Sequence, residues 1–489
     1  MQYRDLLSMY ADSRPTPNYI RAYVLFCAGY VLDFFDFFLV GFLLAVMGPT
    51  WHLTYGQSSL ILLSAGAGAI FGSLFSGALA DAFGRKRMLI VSMTLCALGA
   101  GAVAFLPDRA WALFAVLRFF VGVGLSGSAT TTTVMLVELT PLRYRTRLTG
   151  FPLTAASVGS LIASMSAATL IHALGWRGVA AFGFVPIVLM VLVVVFVPES
   201  PLWLVSKGRH DQARAAIRKL TGNDGGGLPV SLAPREMRPP TGKLAELLAY
   251  PGRTLIVFLT WTALSTTNFG VYLWGPTVVS LMLHISASAA AQYFVVVSIA
   301  ALLGRVMLSL LPVWISRRKL CTLSGFCIAL ALAGAALWAQ KTLLGYPLFI
   351  VFVALGAVFF DGVWVVISPY VVEIFPTRLA ARAIGVGQAG NGLGKILGPW
   401  CLAVIAGTSH VVTPRATTDA LLPAFLFLAG CGLFFGLAFM FLLPDDGTGA
   451  PKGDQREESI DAPPAPHAVD RVSHCAQTPQ PPVLPPAPC

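Results

Sequence analysis

Charged residues are scarce in this sequence. Only 11% of its 489 residues are Asp, Glu, Lys or Arg, whereas soluble globular proteins carry about 25%. This shortage, together with the 56% of hydrophobic residues, excludes an ordinary soluble protein and favours a membrane protein. The net charge of +11 does not indicate nucleic-acid binding, because the basic residues form short clusters between apolar stretches.

Sequence features of several functional classes are also missing. There is no phosphate-binding loop, which argues against ATP-driven transport, and no His/Cys cluster has the spacing of a metal site. The eight cysteines predict no disulfide framework, since six fall in or beside predicted helices and two lie near the end of the chain. We therefore predict no enzyme activity, no cofactor and no metal.

Long apolar stretches dominate what is present. A bilayer span needs about 20 apolar residues, and twelve stretches meet this length: 22–47, 57–80, 88–106, 110–137, 148–171, 178–198, 254–281, 288–312, 320–340, 346–371, 382–406 and 420–443. Basic residues collect in alternate loops, as they do in cytoplasmic loops of membrane proteins. This bias predicts a multi-pass protein of the plasma membrane with both termini in the cytoplasm.

The spans form two groups of six. We predict five segments: a cytoplasmic N-terminus (1–21), a six-helix bundle (22–198), a cytoplasmic loop (199–253), a second six-helix bundle (254–443) and a disordered, Pro-rich cytoplasmic tail (444–489). The segment "ELTPLRYRTRLTG" (138–150) matches "EIFPTRLAARAIG" (373–385) in one Glu, one Pro, two Arg and one Gly at an offset of 235 residues. Parallel repeats of this kind are typical of one large transporter class, whose site lies between the halves.

Three further motifs are "GALADAFGRKRML" (77–89), "RFFVGVGLSGS" (118–128) and "PESPLWL" (198–204). With the repeat motifs, they resemble the major facilitator superfamily, in the branch that holds sugar porters and proton-coupled organic acid symporters. The resemblance implies an all-α membrane fold of twelve helices in two pseudo-symmetric halves, which transports solutes by alternating access. One departure is Leu202, where sugar porters commonly have Arg.

The first span contains "LDFFDFFLVGF" (32–42). This motif resembles the first-span pattern of metabolite:proton symporters. It also resembles the "DGxDxxxxG" of aromatic acid:proton symporters, with Asp33, Asp36 and Gly41 in the three matching places. Because both groups move small carboxylates, the resemblance implies that the substrate is a small organic anion.

Two acids in an apolar span require an explanation. A charge at the bilayer centre costs about 2.5–3.5 kcal/mol on insertion scales and usually faces the protein interior. Asp33 and Asp36 are three residues apart and share a helix face, and Arg118 lies at about the depth of Asp36. Burial favours a neutral carboxylate, whereas a nearby arginine favours a charged one. The resemblance implies that Asp36 and Arg118 form a proton switch, with Asp33 as a second site; a permanent structural ion pair is the alternative.

Polar residues of the second half are candidates for substrate contact. Gln388, Asn391 and Lys395 lie on one face of a predicted helix, and a buried carboxylate needs a cation and neutral donors. Lys395 is predicted to bind the anion or, alternatively, to form a structural bridge with Asp361, a buried acid of span ten and itself a candidate. Asn268 could line the cavity or bond a neighbouring helix, and Tyr272 could stack on an aromatic substrate or serve packing.

Charged residues at the predicted cytoplasmic helix ends form a third group. The resemblance implies a network that holds the inner side shut while the cavity faces outward. Charges that merely set orientation would explain several arginines but not acids at matching repeat positions. The predicted gating residues, of which Arg305 lies deeper and could be structural, are Asp81, Gly84, Arg85, Glu138, Arg147, Arg305, Glu373 and Arg382.

The sequence therefore predicts a monomeric, proton-coupled symporter of an aromatic or metabolic carboxylate, whose partners are the organic anion, protons and the lipid bilayer. Three alternatives stay open at this level. The same acids would serve a proton-driven drug or metabolite exporter. A sugar or polyol porter and a non-transporting sensor on the same fold are the other two.

Overall fold

The computed structural model describes residues 16–140, 142–221, 244–343 and 345–444. Residues 222–243 of the predicted central loop and residues 445–489 of the predicted tail lie outside the described residues. Nearly all the described residues form helices.

The first half begins with a helix that has a clear start signal. Thr16 precedes Pro17, and its side chain accepts a hydrogen bond from the backbone of Tyr19, which is the usual N-cap arrangement. The helices that follow are α1 (Pro17–Thr50), α2 (Tyr55–Phe83), α3 (Arg85–Ala102), α4 (Trp111–Leu139), α5 (Leu142–Ala181), α6 (Val185–Phe196), α7 (Pro201–Ser206) and α8 (His210–Thr221).

The second half is built in the same way, with a short β-hairpin added. Strands β1 (Thr342–Leu343) and β2 (Tyr346–Pro347) pair antiparallel. The helices are α9 (Pro251–Met282), α10 (Ala287–Leu310), α11 (Arg317–Leu337), α12 (Leu348–Phe360), α13 (Trp364–Ile374), α14 (Thr377–Ala406) and α15 (Pro414–Leu437). Short 3₁₀ segments lie at Val103–Phe105, Phe182–Phe184, Leu244–Ala249 and Leu311–Val313, and a π-helical turn at Ala438–Leu442.

These helices account for twelve membrane crossings. Within the described ranges, ten helical stretches are long and apolar enough to span a bilayer. One of them, Thr154–Phe196, has 43 residues and is interrupted at Gly175, whose φ is +68°, so it supplies two crossings. The 30-residue helix α14, which packs against both α9 and α2, supplies the twelfth crossing in this count. The predicted twelve-helix, two-half fold is confirmed.

Glycines allow the helices of each half to approach closely. A Cβ atom on Gly122 of α4 would lie 2.0 Å from the carbonyl oxygen of Ala65 on α2, and one on Gly398 of α14 would lie 2.8 Å from the amide nitrogen of Gly270 on α9. Small residues at such positions let backbones pack tightly in a membrane. These contacts hold α4 and α14, which carry Arg118 and Lys395, against their neighbours.

The two halves are joined at one side of the molecule, which the sequence predicts to be the outer side. The amide nitrogens of Tyr55 and Gly56 donate to the carbonyls of His410 and Thr408 at 3.0 and 2.9 Å. The amide of Val412 donates to Leu53 at 3.0 Å. The Tyr55 hydroxyl also bonds the Thr417 hydroxyl at 2.5 Å. We call this set of contacts, between residues 53–56 and 408–417, the outer latch.

Candidate functional site

A buried ion pair lies in the first half. The Nη1 atom of Arg118 on α4 donates a hydrogen bond of 2.8 Å to Oδ2 of Asp36 on α1, and the two side chains are 3% and 7% exposed. Attraction between buried charges repays their desolvation only when further hydrogen bonds satisfy the remaining groups. The structure therefore brings together the two residues that were predicted to form a proton switch, and a single hydrogen bond joins them.

The arginine of this pair is incompletely bonded. Its Nε and Nη2 atoms have no hydrogen-bond partner among the described residues. A cavity of about 10 Å³ lies beside the pair, lined by Asp36, Arg118 and apolar residues such as Leu39 and Phe114; this volume is about that needed for one water molecule. Because few hydrogen bonds must break, this pair can separate at a lower cost than a fully bonded one.

Asp33 lies about one helical turn from Asp36, which is about 4.5 Å along the axis. It is half-buried, and its side-chain partner is the hydroxyl of Ser128 on α4. The charge of Lys395 on α14 also acts on Asp33, from the opposite half. The charges of Asp36 in the first half and of Lys395 in the second half therefore both act on Asp33.

Lys395 is held by aromatic rings. Its Nζ atom lies 5.3 Å from the ring centre of Phe37 on α1 and 5.3 Å from that of Phe269 on α9. A cation over an aromatic face is attracted by the electrons of the ring. Within the described ranges, no carboxylate forms an ion pair with this ammonium group. Among the described residues, the contacts of this cation are therefore with aromatic rings rather than with an acid.

The two rings belong to a larger aromatic cluster that joins the halves. Phe37 and Phe269 are 5.0 Å apart between ring centres. Phe38 lies 4.6 Å from Tyr272, which lies 5.8 Å from Phe360. Such separations are typical of favourable aromatic pairs. The cluster forms an apolar wall beside the ammonium of Lys395.

The predicted polar face of α14 is present. The Asn391 amide donates to Gln388 at 3.0 Å and accepts from the hydroxyl of Ser265 on α9 at 2.8 Å. Lys395 and Asn391 are half-buried, whereas Gln388 is exposed. Exposure of this polar face thus rises from the middle of the helix toward the side opposite the outer latch.

A second buried ion pair lies in the second half. Arg305 on α10 donates to both carboxylate oxygens of Asp361, from Nε to Oδ2 at 2.9 Å and from Nη2 to Oδ1 at 3.1 Å. Asn268 on α9 donates to Oδ1 at 3.2 Å, and Ser157 on α5 donates to Oδ2 at 2.8 Å. All four residues are at most 4% exposed. Asp361 therefore accepts four hydrogen bonds and pairs with Arg305 rather than with Lys395.

The predicted gating residues of the first half gather at the ends of α2 and α4 and the start of α3. Arg85 contacts Asp81 at 2.6 Å and Glu138 at 3.6 Å. Gly84 has a φ of +110°, and a Cβ atom there would lie 2.5 Å from Glu199. A left-handed backbone and a crowded neighbour both require glycine at this position.

The corresponding residues of the second half are arranged more openly. Arg317 forms an ion pair with Glu373, and both side chains are about one-third exposed. Arg382 is exposed, and the side chain of Arg147 lies outside the described residues. Arg305 is not at the helix ends with these groups but in the buried pair with Asp361.

Several residues of these clusters were not predicted. Glu199 lies inside "PESPLWL" and Phe37 inside "LDFFDFFLVGF", so their signal was available. Arg317, Ser157 and Phe269 lie in none of the motifs singled out, and serines and phenylalanines are common in apolar spans. Their positions become informative only once the helices are placed.

Two six-helix halves around a charged, aromatic interior define a membrane transporter of the major facilitator type. Residues 22–446 match the sugar (and other) transporter family. The chain therefore belongs to this family and is a transporter rather than an enzyme.

Known relatives lie within the same class. The niacin transporter NiaP of Acinetobacter baylyi is 26% identical over 377 residues, covering 76% of this chain and 83% of the relative. The cis,cis-muconate transport protein of that organism is 24% identical, covering 78% and 86%. The xylose transporter XylE from E. coli, in a partially occluded inward-open conformation, superposes with a TM-score of 0.68 at 19% identity, covering 87% of this chain and 98% of that chain.

Proposed function

We propose that the protein imports a small organic anion, an aromatic or metabolic carboxylate, together with protons across the plasma membrane. The position of the Lys395 ammonium is the observation that carries the proposal. This ammonium lies beside two aromatic rings, with no ion pair to an acid among the described residues. A carboxylate that enters this space gains a charge-assisted hydrogen bond, and an aromatic or conjugated body can pack on the cluster beside it.

The pair of Asp36 and Arg118 supplies the proton side of the proposal. Protonation of Asp36 removes the negative charge that holds Arg118 and so weakens the hydrogen bond between the two side chains. Deprotonation restores the pair. The charges of Asp36 and Lys395 both act on Asp33. An anion that binds Lys395 and a proton that binds either acid therefore influence each other. Such coupling is the minimum that symport requires.

The relatives support the substrate class. Niacin is an aromatic carboxylic acid and cis,cis-muconate is a conjugated dicarboxylate, and both are named as the substrates of similar proteins. The shared chemical feature is a carboxylate on a flat, unsaturated body. Lys395 and the aromatic cluster match both parts of that description.

The proposed orientation places the outer latch outside and the exposed end of the α14 polar face inside. In this conformation the latch closes the route from outside, whereas Gln388 is exposed at the inner end. Transport requires that the latch opens and the inner end closes, by movement of one half against the other.

The test uses purified protein in liposomes that contain a pH-sensitive dye. Niacin, benzoate and cis,cis-muconate are added outside, each beside its neutral amide, which has the same shape without the charge. We expect at least one acid to acidify the lumen and its amide to have no effect. If amides act as well as acids, or if sugars alone acidify the lumen, the organic-anion proposal is wrong.

Lys395 is tested in the same system. Lys395→Gln keeps a polar side chain of similar length without the charge, and Lys395→Arg keeps the charge. We expect the first variant to lose apparent affinity for the acid and the second to retain part of it. Equal affinity in Lys395→Gln and the wild type would contradict the assigned carboxylate contact.

A further inference from the structure

The pair of Asp361 and Arg305 is tied to the opposite half of the molecule. Asp361, Arg305 and Asn268 belong to the second half, but the fourth partner, Ser157, lies on α5 of the first half. Its hydroxyl donates to Oδ2 of Asp361 at 2.8 Å, and the two residues are 1% and 3% exposed. This is a charge-assisted hydrogen bond across the boundary along which the halves must move.

The bond lies at one end of a row of hydrogen bonds between α5 and α10. Farther along α5, toward the outer latch, the Ser164 hydroxyl lies 3.4 Å from that of Ser298. At the far end of the row, Ser288 donates to the carbonyl oxygen of Ala168 at 2.6 Å. The row then continues, on the same side of the molecule, into the outer latch.

Among the described residues, the hydrogen bonds between the two halves therefore occupy one zone. It runs from Ser157 through the row on α5 to the latch at residues 53–56 and 408–417. The Ser157 bond is the innermost member of this zone and the one that ends on a charged group. An interaction with an ionised acceptor is about twice as strong as a neutral one.

We infer that Ser157 is a positioning residue that locks the outer side of the transporter shut by tying the buried pair of Asp361 and Arg305 to the first half. Opening the outer side separates α5 from α10 and stretches this bond beyond the roughly 0.5 Å that a hydrogen bond tolerates. Loss of the bond leaves one acceptor position of a buried carboxylate unfilled, which costs free energy. The bond thus favours the outward-closed conformation.

This inference rests on the proposed alternation of access, but not on symport or on the identity of the substrate. It can therefore be tested without any substrate. Thr54 and Val411 form an antiparallel bridge in the latch, and residues paired in this way are close enough for a disulfide. Thr54→Cys and Val411→Cys, in a background in which the native cysteines are replaced by alanine, report the closed latch by their rate of oxidative cross-linking.

The decisive variants at position 157 are threonine and valine, which have the same shape and differ in the hydroxyl. We expect Ser157→Thr to cross-link at the rate of the unsubstituted reporter and Ser157→Val to cross-link about tenfold more slowly, as expected for the loss of one charge-assisted hydrogen bond. Ser157→Ala should resemble Ser157→Val.

Thr169→Val is the control, since it also replaces a hydroxyl by a methyl group on α5. The Thr169 hydroxyl donates to the carbonyl of Met165 in its own helix, so we expect an unchanged rate. If Ser157→Val and Ser157→Thr cross-link equally fast, the bond does not stabilise the closed latch and the inference is wrong. Because all variants are compared without substrate, this failure leaves the proposed symport untouched, and a failure of symport leaves the cross-linking result intact.

Discussion

The two buried ion pairs of this transporter differ in how completely they are bonded. Asp36 receives one hydrogen bond from Arg118, whose Nε and Nη2 have no partner in the described part of the chain. Asp361 receives two bonds from Arg305, one from Asn268 and one from Ser157. Both pairs are almost fully buried, so burial does not distinguish them.

The difference indicates that the pairs have different tasks. A carboxylate that accepts four hydrogen bonds has a donor at each of its lone pairs. A carboxylate with one donor and a small cavity beside it keeps an open position. We therefore propose proton exchange for the first pair and conformational support for the second.

The largest expected effect comes from removing the negative charge of each pair in turn. In Asp361→Asn, Arg305 loses the buried carboxylate with which it pairs, which costs about 3–5 kcal/mol, and the amide group must also face donors from three residues. In Asp36→Asn, Arg118 likewise loses its carboxylate, but the amide oxygen can still accept from Arg118 while the NH₂ group turns away. We expect Asp361→Asn to lose far more thermal stability in detergent than Asp36→Asn. Equal losses would remove the distinction between the pairs.

A smaller effect is expected for the cation that belongs to neither pair. Lys395→Gln removes a charge-assisted contact of about 1.5–3 kcal/mol, so the KM for the transported acid should rise by about tenfold to a hundredfold. Since Lys395 has no ion pair to lose among the described residues, folding should be little affected. Uptake kinetics and elution profiles of the same preparation measure both quantities. A loss of folded protein with an unchanged KM would show that Lys395 is structural.

The aromatic wall should contribute less than the charge. Phe269→Leu removes one ring over the ammonium of Lys395 and one aromatic pair with Phe37. Each such contact is worth about 0.5–1.5 kcal/mol, so the KM should rise several-fold. The loss should be greater for an aromatic acid than for an aliphatic acid of similar size. An equal loss for both acids would show that the ring does not contact the substrate.

The smallest effect is expected for an ion pair outside the interior. Arg177 and Asp108 are 2.8 Å apart, but their side chains are 48% and 72% exposed. Exposed pairs contribute about 0–1 kcal/mol, so Asp108→Ala should change neither thermal stability nor uptake measurably. A large effect here would mean that the number of hydrogen bonds in an ion pair, by which the two buried pairs were distinguished, does not determine what the pair contributes.

The sequence was sufficient to predict the fold and the first pair, but not the second. Twelve apolar stretches and a repeat at one offset determine the architecture, and counting residues from the span ends places Arg118 level with Asp36. The same counting places Arg305 closer to the inner side than Asp361. The arginine side chain is long enough to span this difference in depth. In addition, Asp361 follows the end of α12, where regular helix geometry no longer predicts which way a side chain points.

The cross-half contacts could not be predicted for a related reason. Ser157 is one of several serines in its span, and nothing in a single sequence shows which face of α5 meets α10. The same holds for Phe37 and Phe269, which become partners of Lys395 only when α1, α9 and α14 converge. Helix faces are readable from periodicity, whereas the pairing of faces depends on tertiary packing.

The central claim is that Asp36 exchanges the proton that is transported with the acid. Its most direct test compares wild type and Asp36→Asn in liposomes, by lumen acidification and by exchange of labelled acid across a membrane with equal acid on both sides. Exchange needs no net proton movement. We predict that Asp36→Asn retains exchange and loses acidification. If the variant acidifies the lumen as the wild type does, proton exchange does not occur at Asp36 and the distinction between the two pairs fails.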